Sequence, residues 1–101
     1  MMDDIVRIAF LLDFYGALLT EKQRLMLKLH FEEDLSLSEI GSMMGVSRAA
    51  VHDALKRGQA QLEGYESKLG LVARFAEQSQ RIAELKRLLA EAAALAEQVR
   101  A

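Results

Sequence analysis

The amino-acid sequence predicts an all-α protein of about one domain, and three observations support this. The 101 residues include no proline. The chain is rich in leucine, alanine, glutamate, glutamine, lysine and arginine, which lose little rotamer freedom in a helix. No segment shows the alternation of apolar and polar residues that indicates a strand. Because 51% of the residues are apolar, the chain has enough apolar side chains to form a core.

The first helix is expected over residues 3–15, with Asp3 in its first turn and Gly16 at its end. Its main apolar stripe is predicted to contain the apolar residues that recur three or four positions apart from Ile5 onward, namely Ile5, Ile8, Ala9, Leu12 and Tyr15. Phe10, Leu11 and Phe14 widen this apolar face. A face this wide predicts contact with more than one neighbouring element.

A capping box predicts the start of each of the next two helices. In this motif two residues three positions apart each accept, through the side chain, a hydrogen bond from the other's backbone N–H. Thr20 and Gln23 form the first box, and the second helix is expected to bury Leu25, Leu29 and Met26 and to end near residue 33. Ser36 and Glu39 form the second box. The third helix is then expected to stop at Gly45 after about two turns.

Ser47 is predicted to cap a longer fourth helix over residues 48–68. Its buried face is expected to contain the apolar residues spaced along one side, namely Val51, Leu55, Leu62, Tyr65 and Leu69. Gly58 and Gly64 lie inside this helix and favour either a bend or an earlier end.

A last helix is expected beyond Gly70, and its apolar residues follow a coiled-coil spacing that Gln78 interrupts once. The seam consists of Phe75, Ile82, Leu85, Leu89, Ala92, Ala96 and Val99. We therefore predict two parts, a helix-turn-helix domain over residues 1–70 and a helical arm for dimerisation or partner binding over residues 71–101. The alternative to a homodimer is an arm that folds back on the first helix.

The segment over residues 35–57 has the layout of a helix-turn-helix. Gly41 supplies a small residue where the helices cross, and Gly45 supplies a residue that tolerates positive φ in the turn. Val46, Val51 and Leu55 supply aliphatic side chains that lock the helix pair, with Ile40 and Met44 completing the cluster. This motif predicts the fold strongly.

In a DNA-binding helix-turn-helix, the second helix enters the major groove. The candidate nucleic-acid-binding residues are therefore those at its start and on its polar side, namely Ser47, Arg48, Ala49, His52, Lys56 and Arg57. Arg48 is predicted to reach guanine or phosphate, His52 a base edge, and Lys56 and Arg57 phosphates. Ser47 could donate to phosphate, and Ala49 permits close approach. Three further cations, Lys22, Arg24 and Lys28, could add phosphate contacts.

Charge and composition exclude several other functions. A formal net charge of −2 excludes a generally basic nucleic-acid coat, and Asp53 and the acidic run at residues 32–34 oppose DNA locally. No cysteine is present, His30 and His52 are isolated, and no glycine-rich phosphate loop exists. We therefore expect no catalytic residues, no metal site and no cofactor. No apolar run is long enough to span a membrane. A helix-turn-helix that serves only as a scaffold for protein or RNA contacts remains the alternative.

Residues 19–70 resemble the promoter-reading carboxyl-terminal domain of bacterial sigma factors, and more narrowly the chain resembles the YlxM family of small helix-turn-helix proteins over about residues 5–75, with no matching motif in about the last 25 residues. The motifs that carry the resemblance are LDFYG (12–16), LLTEKQR (18–24), EDLSL (33–37), VSR (46–48) and YESKL (65–69). The resemblance implies a bacterial cytoplasmic homodimer without enzymatic activity. It also implies a link to the signal recognition particle, because members of the family are encoded beside that particle's genes.

The chain departs from the family pattern on its recognition helix, with Ala49, His52 and Ala54 where glutamine, tyrosine and asparagine are usual. Losing two amide side chains weakens adenine readout. Two functions are therefore predicted side by side. One is a dimeric DNA-binding regulator, and the other is an accessory factor that binds the particle's RNA or GTPase.

Overall fold

A computed structural model describes residues 4–100. The described chain forms five α-helices and a short 3₁₀ turn, with no strand in that range. The elements are α1 (Asp4–Tyr15), the 3₁₀ turn (Gly16–Leu18), α2 (Glu21–Phe31), α3 (Leu37–Met44), α4 (Arg48–Leu69) and α5 (Leu71–Arg100). The all-α prediction and the long carboxyl-terminal helix are confirmed. The expected start of the first helix at Asp3 lies outside the described residues.

Both predicted capping boxes are present. The Thr20 hydroxyl accepts from the Gln23 N–H at 3.2 Å, and the Gln23 side chain accepts from the Thr20 N–H at 3.4 Å. The Ser36–Glu39 pair makes the same two bonds at 3.1 and 3.0 Å, respectively. Each box satisfies two backbone N–H groups that the helix leaves unpaired, which fixes the starts of α2 and α3.

The core is formed where α1, α2 and α3 pack against α4. Its buried side chains are Leu11, Leu12, Tyr15, Leu19, Met26, Leu27, Ile40, Val51, Leu55, Leu62 and Val72. Three predicted core positions are wrong, because Ile5, Leu25 and Leu69 are each about half exposed. In α2 the buried side chains are Met26, as expected, and Leu27, which packs against α4 at Gly58. Met44 and Tyr65 are half-buried at the edge of the core.

Neither Gly58 nor Gly64 ends α4, which runs without a break from Arg48 to Leu69. A Cβ atom at residue 58 would lie 2.9 Å from Cδ1 of Leu27, so the glycine lets α2 approach α4 closely. The earlier end of α4, one of the two expected outcomes, is therefore wrong. The missing side chain at Gly58 makes room for a buried leucine of the neighbouring helix.

Glu66 joins three elements at the junction of α4 and α5. Its carboxylate accepts from the Tyr15 hydroxyl at 2.6 Å and from the N–H groups of Val72 and Ala73 at 3.0 and 3.1 Å. The Tyr15 hydroxyl oxygen in turn accepts from the Leu71 N–H at 3.0 Å. Glu66 therefore caps the start of α5 from the preceding helix and ties it to α1.

The environment of this junction shifts two pKa values. Burial raises the pKa of the Tyr15 phenol, and the hydrogen bond to Glu66 raises it further. Burial also pushes the pKa of the Glu66 carboxyl upward, but its hydrogen bonds from Tyr15, Val72 and Ala73 outweigh burial and hold the pKa below its ordinary value. The native junction therefore requires an ionised Glu66 beside a neutral Tyr15.

Replacing Glu66 with glutamine is expected to lower the free energy of unfolding at neutral pH by about 1–2 kcal/mol, because charge-assisted hydrogen bonds are stronger than neutral ones. A lowered folded pKa means that the carboxylate contributes fully above its unfolded pKa of about 4.3 and less as the pH falls through the folded pKa. The difference between wild type and Glu66→Gln should therefore shrink below about pH 4. Urea unfolding at several pH values measures it. Glu97→Gln, at an exposed position, is the control; a difference that is constant with pH would contradict this account.

The first turns of α5 pack on α1, where the Phe75 ring lies 5.8 Å from Phe10 and 5.7 Å from Phe14 between ring centroids. Every residue from 77 to 100 is exposed, and the molecule extends over 70 Å in its longest dimension. The arm therefore folds back on α1 only at its beginning. The wide apolar face of α1 serves two neighbours, since Leu11 and Tyr15 enter the core while Phe10 and Phe14 contact α5.

Candidate nucleic-acid interface

The crossing of α3 and α4 depends on two glycines, as predicted. A Cβ atom at Gly41 would lie 2.7 Å from the carbonyl oxygen of Val46, so no larger residue fits without moving backbone. Gly45 has φ of 69°, the left-handed conformation that glycine adopts without strain. The Val46 N–H donates to the Gly41 carbonyl at 3.0 Å and closes the turn. Val51, with no exposed surface, then fixes α4 against the core.

The turn between α3 and α4 places the first residues of α4 at the protein surface. Ser47 caps the helix by accepting from the Ala50 N–H at 3.0 Å, which leaves its hydroxyl hydrogen available to donate to another group. All six candidate residues, Ser47, Arg48, Ala49, His52, Lys56 and Arg57, are exposed.

Helical spacing arranges the candidate residues in two adjacent rows, because positions four apart are neighbours on a helix. One row contains Arg48, His52 and Lys56. The other contains Ala49, Asp53 and Arg57. The core residues of α4 lie on the other side of the helix. The sequence therefore places one continuous face, about three turns long, outside the core.

Most of the cations on this face are uncompensated. Within residues 4–100, no carboxylate lies within 4 Å of Arg48, Lys56 or Arg57, whereas His52 Nδ1 lies 3.7 Å from Asp53 Oδ1. Asp53 and His52 are both largely exposed, so their contact is weak. The face therefore keeps its positive charges free for an external anion, with one acidic side chain at its middle.

Two shallow grooves flank the face. Arg48, Ala49, His52 and Asp53 line the first, together with Leu37 at the start of α3. The second runs between α2 and α4 and has Arg57 and Lys22 in its lining, beside the Thr20 cap. Arg57 therefore belongs both to the outward face and to the α2 side.

The surroundings of two further residues depend on packing between helices. Ala54, which stands where the family pattern has asparagine, is half-buried against the core and lines the α2 groove, so its side chain is not part of the outward face. Arg24, offered as a phosphate contact, has its aliphatic stem over Gly16 at the end of α1. Of the α2 cations, Lys22 is the one that lines the groove with Arg57. Sequence spacing within one helix cannot give these relations, which depend on how α2 packs against α4.

Comparison with known proteins assigns the chain to a family. A family model described as "Putative helix-turn-helix protein, YlxM / p13 like" matches residues 2–101. The chain is similar to the UPF0122 protein of Bacillus mycoides (strain KBAB4), with 47% identity over 90% of this chain and 83% of the relative. It is also similar to those of Bacillus thuringiensis (strain Al Hakam) and Bacillus cereus (strain AH187), each 46% identical over the same shares. The chain belongs to the YlxM / p13-like family.

Outside the α4 face, the other histidine of this YlxM-like chain has a structural role rather than a place in a binding site. His30 is half-buried, and its Nδ1 lies 2.8 Å from the Leu35 carbonyl oxygen, so this nitrogen carries the proton and donates. It thereby closes the loop after α2, so His30 has a structural role. Within the described residues, no cluster of three or more histidine, cysteine or acidic side chains could hold a metal ion, and no helix there is long and apolar enough to cross a membrane.

Proposed function

We propose that this YlxM-like protein is a nucleic-acid-binding regulator that inserts the outward face of α4 into the major groove of duplex DNA. One observation carries the proposal: Arg48, Lys56 and Arg57 are exposed on the second helix of a helix-turn-helix, with no carboxylate within 4 Å in the described chain. This is the helix that reads DNA in proteins of this architecture.

The residues divide by their chemistry. Arg48 and His52 lie in the first turns of α4. His52 is proposed to reach a base edge, and Arg48 is proposed to bind guanine with two hydrogen bonds or, on a duplex without the preferred sequence, a phosphate. Lys56 and Arg57, one to two turns further along, are proposed to bind phosphates, with Ser47 donating to phosphate at the helix start. Ala49 lets the helix approach closely and contacts a thymine methyl group.

Charge limits the affinity of one subunit. Asp53 offsets one of the three cations on the face, and Lys22 adds one from α2. With about four phosphate contacts, a single subunit would stay in the non-specific range of about 10⁻⁴–10⁻⁶ M. We therefore propose that the protein acts as a homodimer, because two linked faces bind more tightly than one.

The proposed setting is the bacterial cytoplasm, where the regulator would act on the signal recognition particle pathway. Sequence resemblance alone supports this part of the proposal. The alternative partner is the particle's RNA or its GTPase. One observation favours it over DNA: the face offers free cations but, besides Arg48 and His52, little side chain that could read a base sequence.

Binding to labelled nucleic acid tests the proposal. We expect the purified protein to bind a random-sequence DNA duplex with a logarithmic salt slope of about −4 per subunit, since each neutralised phosphate contributes about −0.9. Selection from a random duplex library should then enrich a sequence. Tighter binding to the particle's RNA at the same salt concentration, without enrichment from the library, would support the accessory factor. Binding to neither nucleic acid would refute both nucleic-acid hypotheses.

A further inference from the structure

The outer part of α5 has an apolar face without a partner in the described chain. Six large side chains beyond residue 77 are between 47% and 86% exposed: Ile82, Leu85, Leu88, Leu89, Leu95 and Val99. The opposite face carries ion pairs, with Arg87 bonded to Glu91 at 2.8 Å and near Glu84 at 3.8 Å. In proteins most helical stability comes from packing of an apolar face, and an apolar face of this size marks an interaction surface.

We propose that this face binds the same face of a second copy in antiparallel orientation, with the centre of the pair between Ala90 and Glu91. The inference takes up the homodimer of the proposed function and gives it a geometry. It does not depend on nucleic-acid binding. In this arrangement the two helix-turn-helix domains lie at opposite ends of the paired helices.

Side-chain size is the first argument. The seam of α5 has its large residues in the first half and its small residues in the second half. In the antiparallel pair each layer joins a larger side chain to a smaller one: Ile82 to the partner's Val99, Leu85 to the partner's Ala96, and Leu89 to the partner's Ala92. A parallel pair would join Ala92 and Ala96 to themselves and leave two thin layers, which close packing disfavours.

Charge at the edges of the seam is the second argument. In a parallel coiled coil, the residue that precedes a seam position on one helix (heptad position g) lies beside the residue that follows the next seam position on the other helix (heptad position e). Arg81 would then lie beside the partner's Lys86, and symmetry would repeat this repulsion. The antiparallel pair instead sets Lys86 beside the partner's Ala93, and Arg81, which is level with the partner's Arg100, lies on the other edge of the seam from it.

The width of the apolar face is the third argument. Leu88 and Leu95 lie beside the seam on the same edge, and in the antiparallel pair Leu88 faces the partner's Leu95. Both leucines are about half exposed in the single chain. A shift by one heptad would place Lys86 against its own copy and Gln78 in an apolar layer. The observed pattern therefore fixes the register as well as the direction.

Engineered cysteines test the orientation, because the chain has none of its own. Leu85→Cys and Ala96→Cys are prepared separately, one with a mass tag, and are oxidised gently alone and as a mixture. The antiparallel register places residue 85 level with residue 96 of the other copy, whereas identical positions are separated by about 16 Å along the axis. A disulfide needs Cα atoms within about 7 Å. We expect a cross-linked dimer from the mixture and none from either variant alone.

Two controls make every outcome decisive. Ala94→Cys, on the face away from the seam, should not cross-link, and circular dichroism should be unchanged for all variants because these positions are exposed. Cross-linking of each variant with itself, and not of the mixture, would establish a parallel pair and overturn the proposal. Sedimentation of the wild type as a monomer would overturn it as well. Duplex binding, measured separately, tests the proposed function independently of either result.

Discussion

Gly41→Ala is expected to lower the free energy of unfolding by about 3 kcal/mol or more, although it adds a single methyl group. The added Cβ would lie 2.7 Å from the Val46 carbonyl oxygen. That oxygen belongs to the turn between α3 and α4, so it cannot rotate away as a side chain would. The helices must separate, and the packing of Ile40 and Val51 is lost with them. Urea unfolding monitored by circular dichroism measures the loss.

Other glycines of the chain provide matched controls for this prediction. Gly64 lies in α4 with nothing within 4 Å of an added Cβ, so Gly64→Ala should stabilise the protein by up to about 1 kcal/mol. Gly58→Ala should fall between the two, because the atom it meets is the end of the flexible Leu27 side chain. Equal effects at Gly41 and Gly64 would show that helix propensity, rather than the crossing of α3 and α4, governs position 41.

The parts of the fold that sequence predicted correctly depend on local chemistry. A capping box needs only two residues three apart, and a left-handed turn needs a glycine, so Thr20, Ser36 and Gly45 marked helix ends directly. Gly41 was identified because a helix-turn-helix requires a small residue at the crossing. Each of these requirements is met within a few residues of the chain.

The parts that sequence missed depend on neighbours distant in the chain. Because α1 is apolar on several sides, the spacing of its apolar residues could not decide whether Ile5 or Leu11 is buried. In the fold, where α1 packs on both α4 and α5, Leu11 is buried and Ile5 is exposed. Gly58 looked like a weak point until Leu27 was placed against it. Glu66 sat in an ordinary polar position, and no local pattern indicated that it would bond Tyr15 and cap α5.

In the candidate interface, too, some features follow from local sequence and others depend on residues distant in the chain. Helical spacing from Val51 predicted that His52 and Lys56 face away from the core with Arg48 on the flank, and all three side chains are exposed. It could not show that Arg57 shares a groove with Lys22, because that relation is set by the position of α2. The half-burial of Ala54 has the same cause. Spacing within a helix predicts a face, and the surrounding helices decide how far that face extends.

Replacing Arg48, Lys56 and Arg57 together with alanine is expected to weaken duplex binding by about 10²–10³-fold at moderate salt. The salt slope should also fall by about 3 per subunit, since each cation removed releases about one phosphate contact. All three side chains are exposed and alanine favours helix, so the fold should be retained. Fluorescence anisotropy over a salt series measures both quantities on one duplex.

The matched control removes three positive charges elsewhere, through alanine at Lys68, Arg74 and Arg100. These side chains are exposed and, within the described chain, have no carboxylate within 4 Å. Net charge changes equally in the two variants, so a general electrostatic attraction would weaken both alike. If the α4 face makes the contact, the control should keep most of the affinity and nearly the whole slope. Equal losses would mean that the position of the cations is irrelevant, and α4 would then have no special role in binding.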